Sequence, residues 1–297
     1  MDPSSFLRRF ARQSLIIFFL LLIILLPRII AGELFLQQAQ QLETQKSFSE
    51  ASLSYEDSAN RLWWKNGLFE RSAQSAKMAG DNQAAIYLFL EADVHDGLTP
   101  FGKITLGDLL FDSGDYEHAI DVWEEITRGF PESEGALTRI AKTNWLLGNT
   151  QEAIIAWGEV LKINPENDEA HFNLGLLWMI TQPQNALPEL MQAAGLNQKW
   201  DRKVQVLRTG LNLALLNDNL PYQLVVAGQS LASIGEWKLA QEAFLKATTL
   251  DNNYPVAWAW LGEAYQHTGT DGLPALQKAL EMDKNSAIIL ALNGLYY

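Results

Sequence analysis

The chain has 297 residues, 22 Lys and Arg against 35 Asp and Glu, a formal charge of −13 and a pI near 4.8. A hydrophobic share of 48% supports a buried core, and the acidic balance argues against nucleic acid, a partner that needs many basic side chains to displace counterions. The lack of cysteine excludes disulfides, thiolate zinc sites, iron–sulfur clusters and Cys nucleophiles, and suits an oxidising compartment.

The first element is apolar. Residues 15–26, LIIFFLLLIILL, run without interruption, and PRIIA follows. Leu15 to Ala31 is 17 residues, the short limit of a spanning helix, with Arg28 near its end where a long side chain reaches headgroups. Arg8, Arg9 and Arg12 precede the run, against Arg28 and Lys46 as the first basic residues after it begins, which holds a tail of residues 1–13 in the cytoplasm and sends the rest across. An uncleaved transmembrane anchor over residues 14–31 is preferred to a cleaved signal peptide, because Ile29 and Arg28 make a poor cleavage site before Ala31. Both readings export the remainder of the chain.

Beyond Ala31 the sequence repeats every 34 residues. Ala51, Ala85, Ala119 and Ala153 keep this step, as do Tyr55, Phe89, Trp123 and Trp157, then Gly80, Gly114 and Gly148, and Pro131 and Pro165. A period of this length with glycine in mid-unit means two helices per unit. The glycine supplies positive φ where the first helix stops, and the alanine lets antiparallel helices approach. The aromatic fills the space between hairpins, and the proline ends the second helix.

These residues resemble the tetratricopeptide repeat family. AWAWLGEAYQHTG (257–269) is similar to the family's first helix, with Trp258, Leu261, Gly262, Tyr265 and Gly269 at the pattern positions. GDYEHAIDVWEEI (114–126) and GEWKLAQEAFLKATTLD (235–251) are similar to its second. The resemblance places units at 32–65, 66–99, 100–133, 134–167 and, shortened, 168–200, then at 221–254 and 255–285, with a closing helix over 286–297. Ala153 to Ala240 is 19 residues more than two periods, so residues 201–220 are expected to add one unpaired helix and a turn. The first unit begins where the apolar run ends, so the anchor helix is expected to continue into it. The fold class expected is all-α, a right-handed superhelix of helix–turn–helix units behind a single transmembrane helix.

Chemistry-bearing motifs are scarce. Glu159, Glu166, Asp168 and Glu169 crowd His171, but His171 takes the fourth position of its unit, where Phe69 and Leu137 stand in others. A packed histidine at a repeat junction is therefore expected there and a metal ligand is not, with Asp168 and Glu169 favouring the new helix's N-terminus. The sequence contains no HExxH, no P-loop and no G-x-S-x-G elbow, so no enzyme and no cofactor are expected. Trp63 and Trp64 are expected to pack between repeats, in preference to a role at the membrane interface.

The resemblance implies a groove lined by positions 2, 5, 6, 9, 12 and 13 of each unit. In this sequence these give Glu70, Arg71, Gln74 and Lys77; Ile104, Asp108 and Phe111; Arg139, Lys142 and Trp145; Phe172 and Asn173; and Trp260, Glu263 and Gln266. Arg71, Lys77, Arg139 and Lys142 with Asn173 form a basic set that would suit an acidic peptide or C-terminal carboxylate, with Trp145 and Phe172 as apolar anchors. The competing expectation is a solvated face whose charges pair with neighbours. Glu70 and Gln74 occupy the first two positions of the family's carboxylate clamp, so that clamp's ligand does not carry over. The function implied is a membrane-anchored scaffold at the outer face of the cytoplasmic membrane. It would bind a protein or peptide and assist assembly or maturation. A regulatory or substrate-presenting subunit of a membrane enzyme is the alternative, and a cryptic enzyme ranks last.

Overall fold

The structure, a computed structural model, describes residues 3–296, and the side chains of all of these except 3–14, 16–18, 21 and 296. Met1 and Asp2 of the expected tail, Tyr297, and the side chains of Arg8, Arg9 and Arg12 lie outside the described part. The chain divides into two compact units, Met1–Pro131 and Glu132–Tyr297. Among the described residues there is no strand.

In the first unit, α1 (Pro3–Thr44) is one helix that covers the apolar run, passes through Pro27 and supplies the first helix of the first repeat. It packs on α2 (Phe48–Ala59), and the unit continues through α3 (Leu68–Met78), α4 (Asn82–His95), α5 (Pro100–Asp112) and α6 (Tyr116–Gly129). The turn chemistry follows the period. Gly80 and Gly114 sit at φ 84° and 88°, and the next residue's N–H bonds back to Ala76 O or Leu110 O, closing each helix end. Asp81 and Asp115 then cap α4 and α6 by accepting from Ala84 N and His118 N.

Ala51, Ala85 and Ala119 are fully buried, and Tyr55, Phe89 and Trp123 fill the space between helices. Gly107 leaves no room for a Cβ against the Trp123 indole. Burial, and the hydrogen bond it donates to Glu43 at 2.6 Å, push the Tyr55 hydroxyl well above its usual range. The helices α2 and α3 close on each other through Ser52 and Ser72, each hydroxyl donating to the other's backbone carbonyl at 2.9 and 2.8 Å.

The second unit holds α7 (Glu134–Leu147), α8 (Thr150–Ile163), α9 (Asp168–Thr181), α10 (Pro183–Leu196), a 3-10 turn (Gln198–Trp200), α11 (Asp201–Ala214), α12 (Leu220–Ser233), α13 (Trp237–Leu250), α14 (Pro255–His267), α15 (Leu273–Met282) and α16 (Ala287–Tyr296). Hairpins α7–α8, α9–α10, α12–α13 and α14–α15 recur, and α16 packs on α14 and α15.

The helix over 201–220 is not unpaired. α11 packs on α12, and Gly210 sits so close to Ser230 that a side chain there would overlap it. Meanwhile α9 reaches past it to contact α12 and α13, with Lys246 Nζ donating to Ile180 O at 3.0 Å. The stack therefore continues from α9 to α12, and α11 flanks it.

One expectation about side chains is corrected and another refined. Trp63 and Trp64 are 75% and 47% exposed, edge-on to each other at 5.7 Å, because Leu62 makes the loop's packing contact in their place. Asp168 and Glu169 do stand in the first turn of α9, but the side-chain cap is Asn167, accepting from Ala170 N at 2.8 Å. The Asp168 carboxylate turns to the next junction and accepts from Trp200 Nε1 at 2.6 Å, Lys199 Nζ at 2.7 Å and Asn197 Nδ2 at 3.2 Å. Partial burial works against its charge, but the bonds from Lys199 and Trp200 outweigh that and hold the carboxyl below the usual carboxylate range.

Candidate functional site

The residues nominated for the groove divide between the units. In the first, Arg71 lies over the Tyr55 ring and pairs with Glu43 at 2.8 Å, and Gln74 donates to Glu70 at 3.3 Å. Glu70 is buried and ties the start of α5, accepting from Thr99 N and Thr99 Oγ1, so it is a junction residue that contributes nothing to an open groove. Lys77 is exposed at the end of α3, and Asp108 is half-buried on α5.

In the second unit, Arg139 donates to Gly135 O, and Lys142 pairs with Glu169 at 2.9 Å. Phe172 is only 2% exposed: its ring stacks on Trp200 at 3.9 Å, with Lys203 on the same ring at 5.7 Å. Asn173 is also buried. The aromatic of the 3-10 turn thus covers the surface expected of Phe172 as an anchor.

His171 is enclosed as a packed junction residue. Its Nδ1 meets Glu189 at 2.5 Å and its Nε2 meets Pro165 O at 2.9 Å. Among the described residues no group of three His, Asp or Glu converges as a metal site.

Lys142 and Trp145 are brought together in a cleft of about 560 Å³ whose other walls come from later in the unit. α7 contributes Lys142, Trp145 and Leu146. The α12–α13 turn and first turn of α13 contribute Gly235 to Leu239, and the end of α14 contributes His267 and Thr268. The Trp237 indole stacks on the His267 imidazole at 3.6 Å and 6°, a rigid aromatic plate. Gly235, at φ 87°, makes the sharp turn that presents Trp237. Charges at the rim are mostly paired, Glu236 with Lys203 at 3.1 Å and Lys142 with Glu169. Thr268 Oγ1 donates to Gln241 at 2.6 Å, fixing the floor.

Beside the plate, α14 carries three buried polar atoms without a hydrogen-bond partner: Trp260 Nε1, Glu263 Oε2 and Gln266 Nε2. At spacing i, i+3 and i+6 they share one strip of the helix, and Glu263 Oε1 faces His267 Nε2 at 3.3 Å, joining the strip to the cleft. All three were among the nominated groove positions. His267 stands at the thirteenth position of its unit, so the same rule reaches it. Trp237 lies at the seventeenth, in a turn, and no groove rule names it.

Glu242, on α13 beside this floor, is pushed up by burial, which the hydrogen bond from Thr150 at 3.3 Å only partly offsets. Its ionisation therefore opposes folding. The penalty is absent below the unfolded carboxylate range and grows as pH rises through the raised folded value. Glu242→Gln is expected to raise the denaturation midpoint at neutral pH and to leave it unchanged in acid, measured by urea melts across pH.

Residues 104–168 match the family described as tetratricopeptide repeat, and hairpins of the same kind extend on both sides of that segment. Residues 104–168 thus carry tetratricopeptide repeats within a described fold that is all-α, and tetratricopeptide repeat proteins are protein-interaction scaffolds. The chain is 20% identical over 215 residues, 72% of its length, to anaphase-promoting complex subunit 3 of Schizosaccharomyces pombe, and spans 30% of that protein's length. Among solved structures it is similar to a tetratricopeptide repeat protein from Parabacteroides merdae (13% identity, 89% of this chain and 98% of that one, TM-score 0.48). It is also similar to YrrB, described as a TPR protein with an unusual peptide-binding site (20% identity, 69% of this chain and 97% of that one, TM-score 0.35).

Proposed function

We propose that this chain is a membrane-anchored scaffold whose second unit captures an extended segment of a partner protein in the cleft between α7 and the α12–α14 elements. The observation that carries this reading is the pairing of Trp145 with the Trp237–His267 plate across one concavity. Half-exposed aromatics facing a common space are the usual anchors of protein recognition, since they bury large area at low entropic cost. The unpartnered strip on α14 supports it: on side-chain rotation, Trp260 and Gln266 offer donors and Glu263 an acceptor for a peptide backbone. Recognition is of an apolar or aromatic side chain in preference to an acidic one, because Lys142 at the cleft is already paired with Glu169.

The anchor is the N-terminal part of α1, residues 14–31, in a helix long and apolar enough to cross a membrane. With the basic tail inside, the repeats stand at the outer face of the cytoplasmic membrane and hold partners for assembly or maturation without catalysis. The test is to pan a phage-displayed peptide library against the full chain in nanodiscs. Enrichment of peptides sharing an aromatic or long apolar residue is expected; enrichment of acidic peptides alone, or of no common residue, contradicts the reading.

A further inference from the structure

We propose that the connection between α2 and α3, carrying Trp63, Trp64 and Lys65 beside Arg28, docks on the phospholipid headgroup layer and sets the first repeat flush against the bilayer. The proposal rests on α1 being a membrane anchor. Four contacts hold this loop at one height on α1. Arg28 Nη2 donates to Asn60 O at 2.6 Å, and Ser58 Oγ donates to Gly32 O at 3.0 Å. Lys65 Nζ pairs with Glu33 at 3.0 Å, and the buried Leu62 fills the space above Gly32, where a Cβ would overlap it.

That height is where the apolar span ends. Between Arg12 and Glu33 lie 20 residues, Gln13 to Gly32, with Arg28 as the one charge. At about 1.5 Å per residue they cover about 30 Å, the thickness of a bilayer's hydrocarbon core. The described apolar side chains below the loop are unburied, Ile23 and Ile24 being 66% and 68% exposed.

At the top of that span stand two indoles that the fold leaves uncovered. Tryptophan favours the headgroup boundary, where its ring is buried and its N–H stays wet. Exposing both to water has no packing rationale, because Leu62 already seals the loop. Arg28 adds a cation at the same level, lining with Trp63 and His95 a cleft of about 310 Å³ that faces the depth of lipid phosphates, while Lys65 there is paired with Glu33. A second repeat unit or a protein partner would cover the indoles equally well in principle, but neither would account for their coincidence with the end of the span.

The native chain lacks cysteine, so single labels can be placed cleanly. Nitroxides are attached to Asn66→Cys, Ile24→Cys and Met78→Cys in the full chain, reconstituted in phosphatidylcholine and phosphatidylglycerol vesicles. Collision with oxygen and with a water-soluble nickel chelate then reports depth. Met78, at the far end of α3, is the aqueous control. The expected result is hydrocarbon depth at 24, water at 78, and nickel access at 66 several-fold below that at 78, restored by adding Trp63→Ser and Trp64→Ser. Hydrocarbon depth at 24 with equal nickel access at 66 and 78 overturns the dock and leaves the anchor standing. Free nickel access at 24 overturns the anchor, and the dock with it.

Discussion

Trp145→Ala combined with Trp237→Ala is expected to abolish useful binding of the peptides that the second unit selects. Each indole forms one side of the cleft, and removing Trp237 also strips the stacking partner that holds His267 in plane. A central aromatic anchor is worth at least about 2 kcal/mol when truncated, which corresponds to about 30-fold in affinity for each residue. Both side chains are only half-buried, so the fold should survive, with helicity and melting close to the parent's. Calorimetric titration of one selected peptide reads the loss. Lys142→Glu, by contrast, breaks only an exposed pair with Glu169 and is expected to change affinity less than either indole change. If the charge reversal proved the larger effect, the cleft would be an electrostatic site and the aromatic reading would fail.

Trp157→Ala is the expected stability lesion of greatest size. Its side chain is fully buried between helices of the second unit, and truncating a buried tryptophan costs about 3–5 kcal/mol through lost transfer energy and the cavity left behind. For a unit of this size that lowers the melting temperature by about 10 °C. Trp157→Phe should cost much less. The indole Nε1 is buried without a partner, so the replacement loses some volume but also removes an unsatisfied donor. Circular dichroism melts of the two variants separate these terms. Equal losses would mean that the N–H has a role the packing account omits. The same comparison applies to Trp123 in the first unit, whose Nε1 is likewise unpartnered.

The period of 34 made the hairpins legible because each recurring residue type answers a local steric demand. Gly80, Gly114 and Gly148 all adopt the positive φ that ends a helix, and Ala51, Ala85, Ala119 and Ala153 are all fully buried. Side-chain fates set by distant chain segments were not legible. Phe172 holds a nominal groove position, but the indole of Trp200, 28 residues later, covers it. Trp237 enters the cleft only because the α12–α13 turn comes to face α7, a contact between residues some 90 apart in sequence. Asp168 reads as a helix-start carboxylate, yet three donors from the following junction claim it. α11 looked unpaired because its docking depends on Gly210 meeting Ser230, a match that no periodicity records.

The central claim, that the second unit's cleft recognises a protein segment, is tested most directly by photo-crosslinking in cells. A photoreactive amino acid is placed at Leu146, which lines the cleft, and separately at Ile155, exposed on α8. A discrete protein adduct at position 146, absent at 155 and lost when Trp237→Ala is added, is the predicted result. Identical adducts at both positions, or an adduct at 146 that survives the loss of Trp237, would contradict it.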